Sequence, residues 1–191
     1  RFAQWLKSDG SAPYNSFGNG SAMRASPVGW VARDRDEVFE LAEKTALPTH
    51  NHPEGIKGAR AVALAIFLCR YGYSKEEIKN TLSDTFNYDL NQRYEEIQPG
   101  YSIDVTCQGS VPQAIIAFLK SHDYPSAIRL AVALGGDADT QACISGAIAE
   151  AFYGIVPTNE CEYLKLLPEP FISTLTQFYT TFEIDMPCAI P

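Results

Sequence analysis

Positive charge is scarce in this sequence: 15 lysines and arginines stand against 23 aspartates and glutamates, a net charge of −8 over 191 residues. That balance argues against a nucleic-acid partner, because phosphate backbones are gripped through basic patches. It also sets a condition on any phosphate-bearing ligand, for which metal ions and helix N-termini must supply the positive potential locally. Cysteine is present five times (Cys69, Cys107, Cys143, Cys161, Cys188) but never as C-x-x-C. The odd number and long gaps read as reduced thiols, Cys69 and Cys143 inside apolar helical runs, the usage expected of a soluble cytoplasmic protein. No signal peptide and no apolar run of membrane length occur, so no membrane partner is expected. Strand-like alternation, internal repeats and low-complexity tracts are missing too. So is an initiator methionine. The chain opens Arg1-Phe2-Ala3-Gln4-Trp5-Leu6-Lys7 as though a helix were already under way, and reads as a piece of something longer.

What remains is an ordinary globular mixture, 46% hydrophobic and 20% charged, long enough for one domain over 1–191 with a substantial core. Helical spacing dominates it. Asp34-x-x-Glu37 and Ser74-x-x-Glu77 have capping-box spacing, opening helices to about Thr45 and Phe86. Pro53 suits a first helical turn with His52 near the cap, and the run to about Tyr71 is rich in small residues. Asn87 to Gly100 reads as a long surface loop, and Tyr101 to Gly109 has no clear assignment. Ser110-x-x-Gln113 is expected to cap Ala114–Leu119. Pro125 to Leu134 forms a further helix, Gly154 ends the run that follows Gly136, and Glu160–Leu167 and Pro170–Phe182 form two short helices before the tail from Asp185. The expectation is all-α: a compact, single-domain, multi-helix orthogonal bundle of roughly eight to ten helices. Glu54–Tyr71 and Asp139–Tyr153 should be central, because small residues let backbones approach closely.

Three stretches carry chemistry. Leu134-Gly135-Gly136-Asp137-Ala138-Asp139-Thr140 places two carboxylates and a hydroxyl at a helix start, where cap residues keep extended angles and three hard oxygens can converge. Mg²⁺ or Mn²⁺ takes such ligands, and three are half an octahedral shell. The alternative is plain capping. Tyr14-Asn15-Ser16-Phe17-Gly18-Asn19-Gly20-Ser21 is a polar glycine loop feeding a helix, suited to anions but equally an ordinary turn, and without the P-loop lysine. After it, Arg24 is either a phosphate ligand or, as favoured here, half of a structural ion pair. Thr49-His50-Asn51-His52-Pro53-Glu54-Gly55 carries two histidines with no zinc-type partner. Cys107 as a nucleophile has no base in sight.

Together, F-G-N-G-S-A-M-R, T-H-N-H-P-E-G and G-G-D-A-D-T, in that order from Phe17 to Thr140, resemble the ADP-ribosylglycohydrolase family. The resemblance implies that Asp137, Asp139 and Thr140 bind part of a pair of Mg²⁺ or Mn²⁺ ions. It implies that Phe17, Gly18, Asn19, Gly20, Ser21, His50, Gly135 and Gly136 hold ADP-ribose, with His52 capping or supporting. It also implies an N-terminal T-D-D-T block and an acid that are absent here, so the chain is similar to the family's C-terminal part and its catalytic residues are unknown. V-D-T-L, carried by many members before a later helix, is replaced by Gly109-Ser110-Val111. The implied activity is metal-dependent hydrolysis of the bond between ADP-ribose and a protein side chain or a related small molecule. The missing segment or self-association is expected to complete the chain, which alone should be a poor enzyme. Two rivals are a catalytically inactive ADP-ribose-binding or crystallin-like relative, and a D-x-D sugar-nucleotide transferase.

Overall fold

Alanine and glycine decide which helix lies at the centre. In the computed structural model, which describes residues 2–8, 12–154 and 162–185, helix α5 (Pro53–Arg70) is buried at every position from Ala61 to Cys69. A helix buried all round must be packed on all sides. Its neighbours are α2 (Gly20–Met23), α3 (Ser26–Val31), α4 (Arg35–Ala46), α6 (Lys75–Phe86), α8 (Cys107–Lys120) and α10 (Ala138–Tyr153). Where α5 meets α8, a Cβ added to Gly58 would lie 2.5 Å from the Cys107 sulfur, so no larger residue fits the crossing. The helix α10 packs on α5, α8 and α9 (Tyr124–Leu134) through Ile144, Ser145, Gly146, Ile148 and Ala149. Both helices expected at the centre are there.

The remaining elements are α1 (Phe2–Lys7), α7 (Tyr94–Ile97), α11 (Glu169–Thr181) and two 3₁₀ turns, Gln98–Gly100 and Glu162–Leu166. Among the described residues the fold is all-α, with one isolated bridge between Gly18 and Thr106 in place of a sheet. No helix of these residues is long and apolar enough to cross a membrane.

Local signals explain most boundaries. Ser74 and Glu77 close a reciprocal capping box on α6, and His52 caps α5, its Nδ1 accepting from the Glu54 amide at 3.1 Å. Gly154, left-handed at φ 67°, stops α10. The α4 box is only half made: Asp34 accepts from the Glu37 amide at 2.9 Å, but Glu37 turns outward to Arg33, taking its amide at 2.7 Å and its guanidinium at 2.9 Å. One expectation holds only in part and one fails. Asn87–Gly100 lies mostly at the surface, but Tyr88, Leu90 and Tyr94 enter the core and α7 forms within the stretch. The helix α8 starts at Cys107 rather than after Ser110, because Thr106 already caps it by accepting from the Gly109 amide at 3.1 Å. Ser110 is then an interior helical residue. Near the C-terminus, residues 160 and 161 and the tail beyond Asp185 lie outside the described residues.

Candidate functional site

The glycine loop is held mainly through its backbone. The Asn19 amide donates to the Val105 carbonyl (2.9 Å), the Cys107 amide to the Phe17 carbonyl (2.9 Å), and the Ser16 amide to the Thr49 carbonyl (3.2 Å). Polar hydrogen bonds of this kind fix the loop's shape without consuming its side chains. The loop passes into α2, whose opening amides, Gly20 and Ser21, have no carbonyl within their own helix. Ser21 is fully buried, its hydroxyl 2.7 Å from the Gly55 carbonyl, so it ties α2 to α5. Phe17 remains exposed, its ring 5.1 Å from that of His52.

The second loop is shaped by two glycines for different reasons. Gly135 has φ 88° and ψ −159°, a region open to glycine alone, yet an added Cβ would meet nothing. Gly136, at φ 74°, would drive a Cβ into the Tyr101 ring. Its open side is therefore taken by Tyr101. The Gln141 amide lies 3.2 Å from the Ala131 carbonyl, 3.1 Å from the Gly135 carbonyl and 2.6 Å from the Tyr101 hydroxyl. Only an orientation with its NH₂ toward the two carbonyls gives donors to acceptors. Gln141, fully buried, thereby pins the glycine pair from one turn inside α10.

Asn19 joins the two loops. Its side-chain amide has two N–H groups; one donates to Ser110 Oγ (3.0 Å) and the other to Asp137 Oδ2 (2.6 Å). Asp137 occupies the N-cap of α10 but caps nothing with its side chain, so plain capping does not account for this aspartate. Asp139 is exposed in the first turn, where the helix dipole favours a carboxylate. Thr140 is buried, with its hydroxyl 3.4 Å from Met23 Sδ, a weak acceptor that leaves the oxygen's lone pairs uncommitted. Ser110 Oγ sits 2.6 Å from the Asp104 carbonyl and 2.8 Å from that of Thr106.

Within the stretch without a sequence assignment, Tyr101–Gly109, the residues Tyr101 to Thr106 form the seam between the loops. Val105 receives Asn19, Tyr101 covers Gly136, and Asp104 Oδ1 accepts from both the amide and the hydroxyl of Thr106 (2.8 and 2.6 Å). Local spacing does not reveal the contacts of Val105 and Tyr101, because each pairs residues far apart in sequence. Tyr101, Asp104, Ser110 and Gln141 are accordingly the residues that sequence reasoning missed.

His50 is buried beside the loop, and its Nε2 lies 3.6 Å from where a Cβ would stand on either Gly18 or Gly20. Burial first, and the Arg24 charge second, lower its pKa to about 4, so the ring is neutral near pH 7. Among the described residues Arg24 has no carboxylate partner. Its guanidinium donates to the Thr45 carbonyl (3.1 Å), the Ala46 carbonyl (3.4 Å) and Thr49 Oγ1 (2.8 Å), which makes it a cation on the C-terminal carbonyls of α4. The favoured ion pair lacks a carboxylate partner because α4 offers carbonyls there instead. Cys107 is fully buried with its thiol pushed up to about 11 by desolvation, which removes the nucleophile reading. Cys143 is exposed on α10.

The three blocks read from the sequence thus meet: Asn19 bonds to Asp137, and His50 stands over Gly18 and Gly20. Among the described residues no three His, Cys, Asp or Glu side chains are grouped to hold a metal ion by themselves. The oxygens at the start of α10 come from two carboxylates and a threonine.

Comparison with known proteins places the whole chain. The zebrafish (Danio rerio) ADP-ribosylhydrolase ARH3 is 31% identical over 186 residues, covering 73% of this chain and 50% of that protein. The ADP-ribosylarginine hydrolase Tri1 of Serratia proteamaculans is 26% identical over 196 residues, covering 96% of this chain and 51% of Tri1. The chain spans about half the length of the curated relatives it matches. In structure it is similar to an ADP-ribosylglycohydrolase-related protein complex, with TM-score 0.71 and 23% identity over 96% of this chain and 67% of that one, a likeness that concerns the fold. The family profile described as ADP-ribosylglycohydrolase matches residues 1–180, and the chain belongs to the ADP-ribosylglycohydrolase family.

Proposed function

We propose that this chain supplies the ADP-ribose-binding wall and part of a divalent-metal site of a hydrolase that cleaves the glycosidic bond between ADP-ribose and a protein side chain or a related small molecule. The observation that carries the reading is the Asn19 bridge, which couples the loop suited to a diphosphate to the aspartate at the start of α10. Backbone amides of Gly20 and Ser21 suit the phosphates, and the neutral ring of His50 adds a donor that introduces no charge. Asp137, Asp139 and Thr140 offer hard oxygens of the kind Mg²⁺ or Mn²⁺ takes, and among the described residues Asp137 Oδ1 carries no hydrogen bond while Oδ2 is held by Asn19. These three residues would hold the metal. When bound, it would orient the ribose diol and position or polarise water for attack at the anomeric carbon.

Three oxygens do not complete two octahedral shells, so further ligands are required and the chain by itself turns over slowly. The test is release of ADP-ribose from arginine- and serine-linked ADP-ribosyl proteins with Mg²⁺ or Mn²⁺, for residues 1–191 and for its full reading frame. Turnover in the longer protein, lost in Asp139→Ala, supports the reading. Vigorous turnover by residues 1–191 alone, abolished by Asp139→Ala, overturns the ligand count. ADP-ribose binding without turnover in either protein favours an inactive binding relative.

A further inference from the structure

The geometry points to a relay in which Arg24 and Thr49 act as positioning residues for His50, the histidine already expected at the ligand, by fixing its ring as an Nε2–H donor beside the glycine loop. The argument rests on counting protons. Arginine has donors only, so where its guanidinium nitrogen lies 2.8 Å from Thr49 Oγ1 the threonine oxygen must accept. That leaves the single hydroxyl proton of Thr49 for its other neighbour, His50 Nδ1, at 2.7 Å. The same guanidinium nitrogen also approaches Nδ1, at 3.4 Å. With donors on Nδ1, that nitrogen is the acceptor and the ring proton is placed on Nε2.

The direction of Nε2 gives the relay its use. Gly18 and Gly20 lie beside it, each with a would-be Cβ in ordinary contact 3.6 Å from Nε2, so the donor sits against the loop that passes into α2. Thr49 and His50 are both buried, Arg24 is fixed on the last carbonyls of α4, and the Tyr14 ring lies 6.4 Å from that of His50. The lowered pKa of His50 is consistent with this arrangement, since a protonated ring would place a second N–H against the Thr49 proton and the Arg24 cation. Arg24 and Thr49 are positioning residues; His50 alone would touch the ligand. Identifying that ligand as the ribose or diphosphate of ADP-ribose rests on the function proposed above.

The test uses uniformly ¹⁵N-labelled protein and two-bond ¹⁵N–¹H correlation at neutral pH. The expected pattern is an unprotonated Nδ1 and a protonated Nε2 on His50, kept in Thr49→Ser and lost, or converted to a tautomer mixture, in Thr49→Val. Protonated Nδ1 in the unaltered protein overturns the relay without recourse to any variant, and so does an unchanged tautomer in Thr49→Val. Titration with ADP-ribose should then shift Nε2 and bind about tenfold more weakly in Thr49→Val, the equivalent of one hydrogen bond. Equal affinity in Thr49→Val overturns the donor role. If the tautomer pattern is as expected but ADP-ribose does not bind the unaltered protein, the proposed function fails and the relay stands.

Discussion

Arg24 and Lys75 use the same physical device at opposite ends of the packing and to different effect. Each places a cation on the last carbonyls of a helix it does not belong to. Lys75 Nζ donates to the carbonyls of Phe118 (3.0 Å), Leu119 (3.2 Å) and Ser121 at the end of α8, and to the Tyr153 hydroxyl (2.9 Å). It also lies 5.0 Å from the Phe118 ring centroid, 5.5 Å from Phe152 and 5.3 Å from Tyr153. All of its partners are structural, so it clamps α6, α8 and α10 together. Arg24 caps α4 in the same manner but spends one nitrogen on Thr49 and His50. A helix-end cation thus becomes functional when one of its hydrogen bonds passes to a group that sits against the glycine loop.

The largest effect should come from the clamp. Lys75→Ala removes charge-assisted bonds to three carbonyls together with cation–π contacts, and should cost about 3 kcal/mol in urea unfolding. The His50 tautomer should not change. A loss below about 1 kcal/mol would erase the contrast between the two cations.

The next effect is the pH response of His50. Its folded pKa, about 4, lies below the ordinary 6.5, so the unfolded chain binds the proton more readily. The contribution is complete above pH 6.5 and is lost as pH falls toward 4, on the order of 1–3 kcal/mol. Chemical denaturation at stepped pH should show this slope in the unaltered protein and in Lys75→Ala, and a flatter one in His50→Asn. An identical slope in His50→Asn would assign the response elsewhere.

Asn19→Leu should destabilise by about 2 kcal/mol, because Ser110 and Asp137 lose their shared donor, and Mn²⁺ binding followed by electron paramagnetic resonance should weaken if Asp137 is a ligand. Unchanged Mn²⁺ binding would detach the loop from the metal proposal. The smallest effect is expected for Arg24→Gln, about 1 kcal/mol in stability, because the glutamine amide can still donate to a carbonyl at the end of α4. Its larger consequence should be on the His50 tautomer. A stability loss as great as that of Lys75→Ala, with His50 unaltered, would make Arg24 a second clamp.

Sequence determined the elements wherever the cause is local. The Ser74–Glu77 box, the His52-Pro53 start, Gly154 as a stop and the alanine-rich α5 all follow from neighbours within about one helical turn. It also singled out the three stretches that meet at the site, since glycines, carboxylates and histidines stand out by residue type. Tertiary structure alone decided what those residues do. Asn19 becomes a bridge only because Asp137, 118 residues away, is brought to 2.6 Å. Gly136 is needed because Tyr101 fills its open side, and Arg24 exchanged an expected carboxylate for carbonyls because the end of α4 arrives there first. The tyrosines at 88 and 94 were misread for the same reason: whether a tyrosine faces water or core depends on the surface folded against it, and spacing along the chain carries no record of that surface.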